Sequence, residues 1–479
     1  MWWLISIGAL GCVNRSPCTL SIMWRRQQVW LHQRGAAIVS GLVFFTIIAI
    51  YNLLWTRFTI LQTPDTWYGQ AQYYLLYAWL LAVPQTVLNL QGFLFTHPRA
   101  PIFTLGSAWD ALHTPLHIRI VTRGTNPGTV QRTIEADRAV IAAFTDLHGV
   151  RPRVTIEVVA DNRVPIDMAQ YVVPSDFKTP HGAMFKARAL QYAVGAVSVA
   201  HNAWILHCDE ETQITLSGLT GCLQFMQQEI ETVNPGEYPA VGQGAILYHR
   251  DFWLRPFLTL ADSMRTALDF GYFRVQYHVW HRPLFGLHGS FILVRQDIER
   301  AVDFDFDSYR SITEDAYWAL RLVDRGIGLK WVHGFLSEQA TFSVQDFLRQ
   351  RKRWFTGLWH VLAGEGVRWR TKLVLRASLV SWACSLLGTL AIAIQLIHPI
   401  FVPWYILLPA SLCLATYTSI TVYGLLVNLQ ELHLQTHGIS WLIVLAQIAL
   451  GPIFAGLEST AILWGLFTLN TVKFHVVKK

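Results

Sequence analysis

The chain has 479 residues, more than one compact core ordinarily takes. Apolar residues make up 52% of it and charged ones only 14%, with 20 tryptophans and a mean hydropathy of +0.32, which excludes an ordinary soluble globular protein. The net charge of +7 gathers beside the apolar stretches, where anionic lipid headgroups account for it and nucleic acid does not.

Residues 1–35 read as an N-terminal tail. Its opening, "MWWLISIGAL", has a short apolar core, little positive charge ahead of it and no small-residue cleavage site, so it reads as an interfacial tail or a weak signal-like segment. Residues 36–98 are expected to hold two membrane spans. "AAIVSGLVFFTIIAIYNLLW" (36–55) carries no charge over the roughly 20 residues that cross a bilayer as a helix. "QYYLLYAWLLAVPQTVLNLQGFLF" (72–95) is the second, with a kink expected at Pro84.

The charged residues concentrate in the next part, 110–345, as in a water-facing domain held between membrane segments. "LHIRIVTRG" (116–124) and "RVTIEVVADN" (153–162) are β-rich runs, and residues 126–147 between them follow a helical spacing. "GAMFKARALQYAV" (182–194) is amphipathic, and "AWILHCDEETQI" (203–214) opens as a buried strand. This alternation predicts an α/β, Rossmann-like domain with a mainly parallel sheet. Ligands in such sheets bind at the carboxyl ends of strands, where Asp161 and Asp209 fall.

Residues 346–370, beginning "DFLRQRKRWFTGLWHVL", place cations among aromatics and predict an interfacial helix. About three spans are expected over 373–470, in the runs 373–397, 401–427 and 440–469. The last is broken at Gly451 and Pro452, and reads equally as one kinked helix or a re-entrant hairpin. A short tail, 471–479, follows. Arg25, Arg26 and Arg34 before the first span, and the basic residues between 351 and 376, put the central domain in the cytosol. The six cysteines show no CxxC pair and the 18 histidines no HExxH, so reduced thiols are expected and no zinc site.

Three carboxylates in a row, Asp209, Glu210 and Glu211, repel one another and call for a cation or a hydrogen-bonding partner. In an extended turn Asp209 and Glu211 share one side and Glu210 turns away. Two oxygen donors on one side suit Mg²⁺ or Mn²⁺ bound also by a diphosphate. "SITEDAYWALRLVDRG" (311–326) begins with a capping pattern and puts Glu314 and Asp315 in a first helical turn. Gln350, Arg353 and Trp354 form the spacing Q-x-x-R-W.

Asp161, the "DEE" after a strand, "TED" and "QRKRW", in this order, resemble the four marks of membrane-bound family 2 glycosyltransferases. "VTRGTNPG", "VVPSDFKTPHGAMFKARALQY", "CDEET", "HRPLFGLHGSF" and "DFLRQRKRW" narrow the resemblance, over roughly 115–365, to egghead-type β-1,4-mannosyltransferases. The resemblance implies a GT-A fold, inverting transfer, a GDP-mannose donor, Mn²⁺ or Mg²⁺, and glucosylceramide as acceptor in a Golgi, endoplasmic reticulum or plasma membrane. It assigns Asp161 to the nucleoside, Lys178 and Lys186 to base or phosphate, and Asp209 with Glu211 to the metal. Asp315 becomes the general base beside Glu314, Gln350 and Arg353 contact the donor diphosphate, and Gly289, Ser290 and Trp354 meet the acceptor sugar. One departure is Glu211, where many family members carry Asp.

Rival readings share parts of this pattern. A processive polysaccharide synthase using a UDP-sugar would keep all four marks and thread its polymer between the spans. A dolichol-phosphate sugar synthase would use a phosphate nucleophile and need a base less. A transporter would bury its functional charge at membrane depth, whereas the acidic clusters here lie in the central domain. A catalytically dead scaffold would have little reason to hold these acids in catalytic spacing.

Overall fold

The computed structural model describes residues 35–54, 66–95, 109–197, 199–234, 237–432 and 439–469. The opening segment, the arginines before the first span and the 471–479 tail lie outside these. The first apolar run forms helix α1 (Gly35–Leu54). The second is a continuous helical run with a change of winding next to the expected kink: α2 (Trp67–Leu76), a 3-10 segment (Tyr77–Ala82) and α3 (Val83–Phe95). Pro84 has no N–H to give the carbonyl four residues back, so the winding tightens just ahead of it.

The central domain runs α4 (Trp109–His113), β1 (Leu116–Thr122), α5 (Pro127–His148), β2 (Val154–Ala160), β3 (Gln170–Val172), α6 (Phe185–Ala196), β4 (Trp204–Asp209) and β5 (Gln213–Ile214). It continues with α7 (Leu216–Thr232), β6 (Val241–Arg250), α8 (Pro256–Phe270), α9 (Tyr272–Val275), β7 (Ile292–Arg295), α10 (Gln296–Val302), α11 (Glu314–Asp324) and β8 (Leu329–Gln339). The strands form one sheet in the order β3-β2-β1-β4-β7-β6-β8-β5. β3, β2, β1 and β4 run parallel, as do β6 and β8, while β7 and β5 pair antiparallel to their neighbours. This is the mainly parallel, GT-A type sheet expected from the sequence.

Alternation along the strands explains the layers. Ile118, Ile120 and Leu206 face Val130 and Ile134 of α5 and Leu219 of α7, whereas Val121 and Ile205 share the opposite core with Leu190 of α6 and Trp318 of α11. Each such side chain contributes about 1.5–3 kcal/mol on burial. Charge inside this core is paired: Arg119 Nε and Nη1 donate to Glu157 and Glu299 at 2.5 and 2.6 Å.

After the sheet come α12 (Val344–Ala363), α13 (Leu373–Ile397), α14 (Trp404–Glu431) and α15 (Ile439–Leu466). Pro452 lies inside α15, so the stretch left open between a kinked helix and a hairpin is one helix. Helices α1, α13, α14 and α15 are each long and apolar enough to cross a membrane. α14 is mostly buried, against α3, α8 and α15. At Gly424 a Cβ would lie 2.5 Å from the Ser263 carbonyl oxygen of α8, so this helix meets the central domain backbone to backbone.

Candidate active site

The register of three parallel strands builds the site. Thr122 pairs with Ala160 and Val121 with Asp209, so β1, β2 and β4 end level, and the loops carrying Asp161 and the "DEE" open on one edge. The loop after β1 passes so close to the one after β2 that a Cβ on Gly124 would sit 2.2 Å from the Asn162 carbonyl oxygen. Gly124 also has a φ of 79°, which glycine adopts without cost.

All three carboxylates line the cavity. Glu210 is buried and accepts hydrogen bonds from Thr122 Oγ1 and from Asn126 Nδ2 at 2.6 Å, which ties the start of α5 to the turn. Glu211 is buried too, and Asp209 is the more exposed of the three. Ser290, expected at the acceptor, is 2% exposed; its hydroxyl accepts from the Asp209 N–H at 2.9 Å and bonds Thr212 Oγ1. It braces the turn and also lines the cavity.

Lys186, at the start of α6, is the central cation. Its Nζ donates to Asp209 Oδ1 at 2.5 Å and to the Gly289 carbonyl at 2.6 Å, and stands 3.6 Å from Glu314 Oε1. Burial opposes its charge, but Asp209, Glu314 and Asp315 outweigh burial and hold the ammonium above its usual range. Burial, reinforced by the Asp315 charge, pushes Glu314 up to about 7. Asp315 is also raised by burial, against the pull of Lys186 and of the Ala316 N–H that donates to its Oδ1. The capping pattern before α11 does not cap it, since Thr313 at the N-cap makes no side-chain cap and Ser311 Oγ donates to the Asp307 carbonyl.

Gly289 shows how tightly these groups converge. A Cβ there would lie 3.1 Å from Lys186 Nζ, 3.3 Å from Asp315 Oδ2 and 3.6 Å from Asp209 Oδ2. Two non-glycine residues in left-handed backbone flank the cluster, Phe185 before Lys186 and Phe291 after Ser290. Such conformations cost about 1–3 kcal/mol and persist where surroundings impose them.

Beyond the end of β2 Asp161 accepts from Arg188 Nη1 at 2.8 Å, and Arg188 also donates to the carbonyls of Pro174 and Phe177. Burial raises the Asp161 carboxyl while Arg188 and Arg123 lower it. Lys178, expected with Lys186 at base or phosphate, is exposed and lies outside the cavity. The cations that do line it there are Arg123 and Arg188, which no motif singled out, because only the packing of α6 against β2 brings Arg188 to Asp161. His288 was also missed, although it adjoins Gly289. Its Nε2 bonds Asp269 Oδ1, and that carboxylate outweighs burial to raise the imidazole.

From α12, Gln350, Arg353 and Trp354 all reach the cavity. Burial lowers Arg353, and Glu314, Asp209, Asp315 and Glu211 sustain its charge. Trp354 lies between the guanidinium groups of Arg265 and Arg351, 4.7 and 4.4 Å from its ring centre. The cavity encloses about 1290 Å³ and runs from Arg123 and Asp161, past the carboxylates, to between α13, α14 and α15.

The donor set can hold a divalent cation. Asp209, with its side chain 35% exposed, and Glu211 face one cavity, and no third His, Cys, Asp or Glu joins them in a metal-binding group among the described residues. Two protein carboxylates completed by phosphate oxygens and water are the usual shell of such ions on nucleotides.

A mainly parallel sheet whose strand ends carry these acids, facing a cationic helix beside apolar helices, is the arrangement of the GT-A class of sugar-transfer enzymes. The chain belongs to the glycosyl transferase family group 2, whose model matches residues 204–454. It is similar to the β-1,4-mannosyltransferase egh of Drosophila melanogaster, 32% identical over 434 residues that cover 88% of this chain and 91% of the relative. The β-1,4-mannosyltransferase bre-3 of Caenorhabditis elegans is 30% identical over 368 residues, 76% of this chain and 75% of that one. Among solved structures, the mannosyltransferase PcManGT from Pyrobaculum calidifontis in complex with GDP-Man and Mn²⁺ aligns with a TM-score of 0.45 and 10% identity, over 83% of this chain and 99% of that.

Proposed function

We propose that this glycosyltransferase moves mannose from GDP-mannose to a lipid-linked acceptor, glucosylceramide, forming a β-1,4 linkage with inversion. The observation that carries the reading is the continuous cavity from the strand-end carboxylates into the apolar helices, which gives a donor and a membrane lipid access to one reaction centre. The β-1,4-mannosyltransferase relatives, aligned over most of their length, support the sugar and the linkage.

In this mechanism Asp161, with Arg188 and Arg123 around it, contacts the nucleoside. Asp209 and Glu211 would hold Mn²⁺ or Mg²⁺, which when bound neutralises charge on the diphosphate. Lys186 and Arg353 add fixed positive charge at the leaving group, and Gln350 is placed beside them. Asp315 takes the proton from the acceptor hydroxyl as that oxygen bonds to the anomeric carbon and the bond from this carbon to the diphosphate oxygen breaks. Glu314 shares the charge balance through Lys186, and Trp354 offers its face to the acceptor sugar beside Gly289. We place the catalytic domain on the cytosolic side of a Golgi or endoplasmic reticulum membrane, with the apolar helices on either side as spans.

The test incubates detergent-purified protein and Mn²⁺ or Mg²⁺ with glucosylceramide and, separately, GDP-mannose, UDP-glucose and UDP-N-acetylglucosamine, resolving products by mass. One hexose added from GDP-mannose alone, and reduced at least about 10²-fold in Asp315→Asn, is expected. A ladder of products from a UDP-sugar would replace the reading with a polymer synthase, and an unimpaired Asp315→Asn would remove the base.

A further inference from the structure

Glu338, near the end of β8, is 3% exposed yet lines the cavity, and no step of the mechanism uses it. Its Oε1 accepts from Thr212 Oγ1 at 2.6 Å. Thr212, fully buried, closes the carboxylate turn: its N–H donates to the Asp209 carbonyl at 3.0 Å, and its hydroxyl also bonds Ser290 Oγ at 2.9 Å. Glu338 is thereby tied to the turn that carries Asp209 and Glu211.

The other oxygen of Glu338 faces a different element. Oε2 stands 3.8 Å from Arg265 Nη1 of α8. The Arg265 guanidinium lies over the ring of the buried Tyr248, 3.9 Å from its centre, and over that of Trp354, 4.7 Å from its centre. It donates no hydrogen bond among the described residues, so charge and ring faces hold it. Only a planar guanidinium seats on rings in this way; an ammonium does not. Arg351, the second cation on the Trp354 ring, is held by Asp262 and Glu458, so the path from this indole to the turn runs through Arg265. Glu211, Arg265, Glu338 and Trp354 all line the one cavity.

We infer that Glu338 and Arg265 are positioning residues that join the metal-holding turn to Trp354. Glu338 anchors the turn through Thr212 and aims Arg265, and Arg265 sets the plane of the indole. The inference rests on the roles proposed above for Asp209, Glu211 and Trp354, and adds what keeps the two ends in register. An indole at a cavity wall turns about its side-chain torsions unless its faces are held, and a sugar stacked on it turns with it.

The test labels the full-length protein in detergent with 5-fluorotryptophan and reads the fluorine resonance of Trp354, assigned by its loss in Trp354→Phe. Glu338→Gln keeps an oxygen for Thr212 and removes the charge that aims Arg265. It is expected to move the Trp354 resonance in the same direction as Arg265→Met, and the double variant no further than Arg265→Met alone. A resonance unmoved by Glu338→Gln, or shifts that simply add, overturns the inference. The turn is read by calorimetry with Mg²⁺ and GDP or UDP. Glu338→Ala is expected to bind the nucleotide about 10-fold more weakly than the wild type, and Glu338→Gln within about twofold of it. Should Glu338→Ala not fold, Thr212→Val reads the same bond, and unchanged affinity there overturns this end of the link. In transfer assays Arg265→Met should raise the acceptor KM about 10-fold, but less than about twofold once Trp354→Ala is present. Binding of UDP and not GDP, or no hexose transfer to glucosylceramide, would sink the mannosyl reading, while the fluorine shifts and nucleotide ratios still decide the link. A wild type that binds neither nucleotide removes the metal-holding turn and the link with it.

Discussion

Replacing Gly289 by alanine probes the reaction centre with a single methyl group. Gly289 is not in left-handed backbone, so alanine adds no conformational strain there. What matters is the new Cβ, 3.1 Å from Lys186 Nζ and 3.3 Å from Asp315 Oδ2, both tighter than ordinary contact, and 3.6 Å from Asp209 Oδ2, which is ordinary. Each of the first two is the far end of a flexible side chain and can withdraw by a few tenths of an ångström, so the fold survives and Tm should hold to within about 3 °C. The withdrawal shifts Lys186 and Asp315 out of their native positions and, on the proposed mechanism, fills space where the acceptor hydroxyl approaches. Misplacement on this scale costs roughly 10–100-fold in rate, or about 1.4–2.7 kcal/mol of barrier. Single-turnover transfer from saturating donor, beside a thermal melt, measures both quantities. Wild-type kcat in a protein of wild-type Tm would refute the convergence of these three side chains on one reacting atom.

Three further outcomes follow from the same geometry. Glu314 binds its proton more tightly folded, at about 7, than its ordinary value of 4.5, so its burial lowers stability progressively as pH rises through that window and by a constant amount above it. The Tm of the wild type relative to Glu314→Gln should therefore fall between pH 5 and 7 and level off beyond, and a difference independent of pH would contradict the burial. Arg188→Met leaves Asp161 without its partner and should raise donor KM about 10-fold with kcat within threefold, whereas Lys178→Met, outside the cavity, should change neither; equal effects would restore Lys178 to the site. Arg351→Met strands Asp262 and Glu458, which accept from the guanidinium at 2.5 and 2.6 Å, and should cost about 3–5 kcal/mol of stability, read as a large fall in Tm.

The resemblance to family 2 glycosyltransferases was legible in the residues, because a metal-binding pair, a base and an arginine must come in set order along a strand-and-helix alternation. The strands of the central domain were legible too: runs such as 116–124 and 153–162 became β1 and β2 within two residues, since β-branched residues between polar turns leave little alternative. The long apolar runs also fell where hydrophobicity alone dictates, and α13 matches its expected range.

Tertiary structure decided the rest. Strand register brought Asp161 level with Asp209, and packing of α6 on the sheet turned Arg188 to Asp161 while Lys178 stayed in solvent. His288, Arg123 and Arg265 joined the cavity from separate loops and helices, with no local pattern to announce them. Ser290 gained a bracing role that its sequence position did not announce, because its hydroxyl meets the Asp209 N–H across two strand ends. The amide of Gln447, without a hydrogen-bonding partner among the described residues, is invisible in a helix that reads as uniformly apolar, since hydropathy sums over a window and cannot tell which face a residue takes. Composition and local periodicity act along the chain, so they determine elements and their order; the meeting of side chains hundreds of residues apart depends on how those elements pack, and there the chemistry of this protein is assembled.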